Sequence, residues 1–188
     1  MKSHSWTNRI DEITKSFNNE FGELTVEQLN WKPTEQVWSI AQNIEHLIVI
    51  NETYYPTIKT IREGKYKISF LGKIGFVVNF LGKTVLKGVQ PDRRKRMKTF
   101  PIWEPSKSEI SAGIIKRFIK HQSELKELIK NSEDLLAKGI VISSPANKNI
   151  VYKLETAFDI IVTHEQRHFE QAKEVLMNQR KMPAHNIV

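Results

Sequence analysis

Leu154-Glu155-Thr156-Ala157-Phe158-Asp159-Ile160-Ile161-Val162-Thr163-His164-Glu165-Gln166-Arg167-His168-Phe169-Glu170-Gln171-Ala172 is the stretch that decides how this chain folds. Its apolar residues Leu154, Ala157, Phe158, Ile161, Phe169 and Ala172, continued by Val175 and Leu176, recur at the period of one face of an α-helix. The spacing predicts a helix from about 151 to 178. Within it His164 and His168 are four residues apart, so their imidazoles are separated by about 40° around the axis and about 6 Å along it. Both can reach one point in space. The stripe points nearly the same way as His168, with His164 toward its edge, which aims the pair at a helical interior or its mouth.

Three more amphipathic stretches lie upstream. Trp6, Ile10, Ile13, Phe17 and Phe21 predict a helix over about 4–21, stopped by Gly22. A polar connection holding Leu24, Leu29 and Trp31 leads to Pro33. The second helix opens at Ser39-Ile40-Ala41-Gln42, a capping-box pattern, and carries Ile40, Ile44, Leu47, Tyr54 and Ile58 toward Gly64. Pro56 should kink or interrupt it. The third is expected from Ser106-Lys107-Ser108-Glu109, another capping-box pattern, with Ile110, Ile114, Phe118, Leu125 and Ile129 inward and an end between Asn131 and Gly139. Residues 140–149, around Ser143-Ser144-Pro145, read as a loop or short strand.

Residues 64–105 have a different character. They hold five of the eight glycines, the apolar run Phe76-Val77-Val78-Asn79-Phe80-Leu81 and the cationic run Arg93-Arg94-Lys95-Arg96. They read as a crossover with one or two short helices, whose apolar residues need burial as a cap or lid beside the rest. Helix, short loop, helix, long crossover, helix, short loop, helix is the order of an all-α four-helix bundle with one long connection between helices 2 and 3. Alternating strands are absent, which argues against an α/β fold.

At 188 residues the chain fits one domain, 1–188, large enough to bury a core without staples. With 39% hydrophobic and 27% charged residues it has a globular composition, and no apolar run approaches the roughly 18 to 20 residues that span a bilayer. The amino terminus lacks an apolar segment followed by a small-residue cleavage site, so a cytoplasmic location is expected. There is no cysteine, which removes disulfides, thiolate metal clusters and a cysteine nucleophile together. A metal would have to rest on His, Asp or Glu. The net charge of +8 is uneven: residues 59–98 carry twelve Lys or Arg against Glu63 and Asp92, so the remainder is slightly acidic.

The residues alone leave the histidines open. A histidine on an apolar face is commonly a core residue hydrogen-bonded to backbone, and His164 with His168 can be read so or as metal ligands. His-Glu-x-x-His also formally matches a metalloprotease helix with Glu165 as base, although no substrate-binding strands are in view. His46 lies on the flank of its helix's apolar arc, and periodicity does not bring it to the pair. His121 reads as a core or edge residue, and His4 and His185 as incidental.

Two segments carry a resemblance. Trp38-Ser39-Ile40-Ala41-Gln42-Asn43-Ile44-Glu45-His46-Leu47, a tryptophan and helix start followed by a histidine two turns on, resembles the second-helix signature of the DinB-like superfamily. The run from Ala157 to Ala172, with His-x-x-x-His followed by Gln171, is similar to the fourth-helix signature of the same family. The resemblance covers nearly the whole chain in helix order, and 64–105 is its least family-like part. It implies that His46, His164 and His168 together hold a divalent metal ion near one end of the bundle. Three imidazoles favour a transition metal, Zn or Ni first and Fe or Co next, over Mg or Ca. Three protein ligands leave a position open, as in catalytic sites. Asn43, Glu45, Arg167 and Gln171 are candidates to support the ligands, and no residue is assigned a catalytic role.

The function this implies is a metal-dependent enzyme, a thiol S-transferase or a hydrolase, acting on a small molecule, with a low-molecular-weight thiol as one candidate partner. A noncatalytic bundle, metal-stabilised or metal-free, is the second expectation. A basic module binding a membrane surface through residues 76–86, or nucleic acid through 93–96, is the third and weaker one. A second copy of the chain is a further candidate partner. Trp6, Trp31, Trp38 and Trp103 are expected to serve packing and not stacking of a ligand.

Overall fold

Buried apolar periodicity builds a mostly helical molecule with one small hairpin in the computed structural model, which describes residues 2–92 and 99–181. The elements are α1 (Lys2–Phe21), α2 (Val26–Asn30), α3 (Ile40–Glu52), α4 (Tyr54–Arg62), α5 (Gly75–Gly88), α6 (Ile114–Lys130), α7 (Glu133–Ala137), β1 (Val141–Ser144), β2 (Asn147–Lys153) and α8 (Leu154–Arg180). Short 3-10 turns occupy Phe70–Lys73 and Pro101–Trp103. The cationic run at 93–98 and His185 lie outside the described residues.

Helices α1 and α3 each pack against both α6 and α8. Aromatic rings join them: Phe17 of α1 lies 4.6 Å from the Phe118 ring of α6 and 5.2 Å from the Phe169 ring of α8. Trp6 meets Phe158 edge-on at 5.4 Å, and its Nε1 donates to Asp159 Oδ1 at 2.7 Å, which satisfies the one polar atom this ring brings inside. Ser39 caps α3 as its sequence predicts, with Gln42 completing the reciprocal bond. The long second helix is interrupted at Thr53, between α3 and α4, four residues after Val49 and three before Pro56, whose missing N–H and ring cannot be accommodated in a continuous helix.

Several sequence expectations are corrected. The connection after Phe21 contains α2, capped by Thr25 with Gln28. The third long helix starts at Ile114 and not at Ser106, because tertiary partners claim the intervening backbone. Ser106 N donates to Glu45 Oε2, Ser106 Oγ accepts from Ser108 N, and Asn30 brackets Ile110 by donating to its carbonyl and accepting from its N–H. Residues 141–153 form an antiparallel hairpin pairing Ile142 with Tyr152, so Val151 belongs to β2 and α8 starts at Leu154. Gly139, at φ +62°, makes the left-handed turn between α7 and this hairpin, which other residues adopt only with strain.

Within 64–105 the described residues form one α-helix and the two 3-10 turns, where one or two short helices were expected. Helix α5 has 14 residues and packs on β2 and α8. A Cβ on Gly82 would lie 3.2 Å from both Tyr152 Cβ and Thr156 Cγ2, so the missing side chain permits this close approach. Val78 is buried beside it, whereas Phe76 and Phe80 are 77% and 66% exposed. The expected burial of the whole apolar run is therefore corrected: a helix can turn only one face inward, and this one turns Val78 and Gly82.

A polar cluster lies inside, between α3, α6 and α8. Glu165, fully buried, accepts at Oε1 from Asn51 Nδ2 at 2.7 Å and from Gln122 Nε2 at 2.8 Å. Its Oε2 has no partner among the described residues. Burial raises its pKa to about 7 against the opposing effect of those two donors. A carboxyl whose folded pKa exceeds its unfolded one stabilises most below the unfolded value, near 4.5, and that contribution is lost as pH rises through about 7. Glu165→Gln removes this dependence. Relative to the parent, the variant should gain about 3 kcal/mol between pH 4.5 and pH 8 in urea unfolding of metal-free protein. Parallel stability curves for the two proteins would show that the carboxyl is not destabilised by burial.

Candidate metal centre

Helices α3 and α8 lie side by side, and the stripe of α8 brings His164 and His168 against His46 of α3. One nitrogen from each of the three rings lies within 4.8 Å of the other two. His164 Nε2 and His168 Nε2 face each other at 3.0 Å. His46 and His168 are buried and His164 is half-buried, so His164 marks the more open side.

The far nitrogens are occupied. His46 Nδ1 lies 2.6 Å from the carbonyl oxygen of Trp103, which can only accept, so Nδ1 carries the proton and Nε2 keeps its lone pair. His168 Nδ1 lies 2.7 Å from Asn43 Oδ1. The Asn43 amide is oriented by its own Nδ2, which donates to the Ser39 carbonyl at 2.8 Å, so its oxygen faces the ring and accepts from Nδ1–H. Two neutral imidazoles are thus fixed in the tautomer that leaves Nε2 unprotonated, and that of His168 faces His164. Trp38 walls the other side, 4.9 Å from the His46 ring and stacked at 6.0 Å on His168.

Desolvation, the largest cause, holds all three histidines below the ordinary imidazole range, and for His164 and His168 their neighbouring histidines and Arg167 add to it. The donors are therefore neutral and competent to bind at physiological pH. Tetrahedral Zn–N bonds of about 2.0–2.1 Å would put neighbouring imidazole nitrogens about 3.3 Å apart; the His164 and His168 nitrogens lie close to this at 3.0 Å, and all three nitrogens lie within 4.8 Å of one another. The donor set fits a borderline transition-metal ion. Among the described residues this is the group of His, Asp and Glu side chains that can hold one.

The other candidates take different places. Asn43 touches His168 directly. Glu45 acts at a distance: by accepting from Ser106 N at 2.6 Å it ties to α3 the segment that delivers the Trp103 carbonyl to His46. Arg167 is buried and donates to the carbonyls of Gly88 and Gln90, which fastens the end of α5 to α8. Gln171 is half-buried and takes no part in the hydrogen bonds of the three rings. Glu165 points into the α3–α6 cluster described above, so it is not placed as the base of a His-Glu-x-x-His protease. His121 is buried, 3.3 Å from Asn51 Nδ2, and burial lowers its pKa to about 4. Trp103 and Trp38, read from sequence as packing residues, both touch the site. No sequence signal marks Trp103, because any residue there could offer the same carbonyl.

Asn43→Ala leaves the His168 ring without its orienting acceptor. Zinc titration of the chelated protein should show affinity lower by about 10–100-fold with helical circular dichroism retained. Unchanged affinity would mean that the amide does not set the ring.

No curated protein and no solved structure matches the chain. The model of one family, described as the DinB superfamily, does match, over residues 9–172, a span that includes Asn43, His46, His164 and His168. The chain belongs to the DinB superfamily.

Proposed function

We infer that His46, His164 and His168 hold one divalent transition-metal ion, Zn or Ni before Fe or Co, and that the protein is a metal-dependent enzyme acting on a small molecule. The observation that carries this reading is the pair of fixed tautomers, which leave Nε2 of His46 and His168 with a free lone pair in a group whose three nitrogens lie within 4.8 Å of one another. In the same reading α1, α3 with α4, α6 and α8 are the four helices of a DinB-like bundle, 64–105 is its crossover, and 1–188 is one domain.

Held by the neutral imidazoles of His46, His164 and His168, a divalent ion would keep its full charge and would ease proton loss from a water or a thiol. The chain's own residues supply orientation and shelter. Asn43 and the Trp103 carbonyl hold two rings by their outer nitrogens, and Trp38 covers them from water. The half-buried edge at His164 is the side from which a small molecule reaches the cluster.

Transfer of a low-molecular-weight thiol to an electrophile is the reaction favoured over hydrolysis. Hydrolysis gains from a protein base beside the attacking water, and the two carboxylates adjacent in sequence to these histidines are otherwise engaged: Glu45 accepts from Ser106 N, and Glu165 is bound by Asn51 and Gln122. In thiol transfer the S–H proton would pass to solvent as sulfur forms its bond to the electrophile, whose leaving group would depart with the electron pair of the bond that breaks, so no protein base is required. A cytoplasmic location agrees with this reading, since small thiols are kept reduced there.

The test offers protein purified without a polyhistidine tag, chelated and then reloaded with zinc or nickel, a panel of small thiols with an electrophilic acceptor. Ester and amide substrates are assayed in parallel. Turnover is expected with thiols, lost on chelation, restored by metal, and reduced at least about 100-fold in His46→Ala with the helical spectrum unchanged. Metal-bound protein inert in both panels would overturn the enzymatic reading and leave the ion a stabilising role.

A further inference from the structure

Helix α5 presents an outward stripe that the metal centre does not use. Phe76, Phe80, Lys83 and Lys87 are spaced by four, three and four residues, so they lie along one line of the helix, and all four are exposed. Phe70, 75% exposed, and Lys73 precede it in the 3-10 turn. The opposite face is committed: Val78 and Gly82 are buried, and Gly82 lies close against Tyr152 and Thr156. The phenylalanines therefore cannot be taken inside by rotating the helix. Three phenylalanines this exposed are an unusual cost for a surface.

Charge identifies what meets them. Residues 64–91 contain Lys65, Lys67, Lys73, Lys83 and Lys87 and no Asp or Glu, and every one of these lysines is exposed. Lys65 is paired with Glu63, whereas Lys73, Lys83 and Lys87 form no ion pair among the described residues. A second copy docked on the same stripe about a two-fold axis would set lysines against lysines. Protein interfaces also deplete lysine at their centres, and here lysines continue the line of the aromatics. Aromatic anchors flanked by lysines, Lys73 before and Lys83 and Lys87 after, on a helix lying flat, match an anionic lipid surface. No described helix is long and apolar enough to cross a membrane, so the contact is peripheral.

We propose that the outward face of α5, with Phe70 and Lys73 before it, docks on anionic lipid membranes: Phe76 and Phe80 enter the boundary between headgroups and acyl chains, and Lys73, Lys83 and Lys87 meet lipid phosphates. The docking is independent of the metal ion.

Full-length protein is floated with vesicles of phosphatidylglycerol and phosphatidylcholine in equal parts, and with phosphatidylcholine alone. Binding is expected only to the anionic vesicles and weakens as salt rises. Lys83→Ala and Lys87→Ala should each lower partitioning about fivefold, and Phe76→Ala with Phe80→Ala by about tenfold or more, all with unchanged circular dichroism and zinc uptake. Because the chain has no cysteine, Phe76→Cys gives a unique site for an environment-sensitive fluorophore, whose emission should shift to the blue on anionic vesicles alone. Four results would overturn the proposal: no anionic-vesicle binding, binding indifferent to the phenylalanine pair, a label that stays in water, or a dimer that dissolves in Phe76→Ala with Phe80→Ala while vesicles remain unbound.

Discussion

Two hydrogen bonds made by the outer nitrogens of histidine rings govern the centre. An imidazole can lend a lone pair to an ion only from a nitrogen without a proton, and the protein settles which nitrogen that is by giving the other an acceptor. For His46 the acceptor is the Trp103 carbonyl, and for His168 it is Asn43 Oδ1. Each acceptor is itself held. Asn43 is fixed by the Ser39 carbonyl at the start of α3, and the Trp103 segment is tied to the same helix where Glu45 accepts from Ser106 N. The start of α3 therefore does three tasks, since the Ser39 cap, the Asn43 amide and the Glu45 carboxylate all fall within its first two turns.

The packing explains why those bonds persist. The two halves of the centre come from α3 and α8, which meet directly, and the aromatic contacts of Phe17, Phe118 and Phe169 hold α8 against α1 and α6 from the other side. Desolvation then favours neutral rings, so burial that would be a cost for a charged histidine keeps these in the form a metal requires. Glu165 shows the same burial acting on a carboxyl one residue from His164. A step of 100° around the helix is enough to send neighbouring residues into separate environments, one a cluster of imidazoles and the other a network of amides.

Much of this was legible in the sequence, for identifiable reasons. The pairing of His164 with His168 follows from helical period, and Asn43 lies three residues before His46 on the same face. That His46 joins them depends on how α3 packs on α8, which no single helix's pattern contains, and only the family resemblance suggested it. Trp103 was invisible as a partner because its backbone does the work. The Ser106 capping pattern misled: local chemistry offered a helix start, but Glu45 and Asn30 had already taken that backbone. A loop or short strand was legible at 140–149, where β1 lies, but β2 was hidden because it runs directly into α8 at Lys153 and Leu154, so its inward residues prolong the helical stripe. The apolar run of α5 suggested burial on all sides, where one face met the body and the other met solvent.

The central claim is that three imidazoles, presented by their inner nitrogens, coordinate one ion. X-ray absorption fine structure of the zinc-loaded, tag-free protein tests it most directly, because outer-ring scattering distinguishes imidazole from other light donors. The account predicts about three imidazole nitrogens at about 2.0–2.1 Å together with at least one further light-atom ligand. A shell without three imidazoles, or one dominated by carboxylate oxygen, would contradict it.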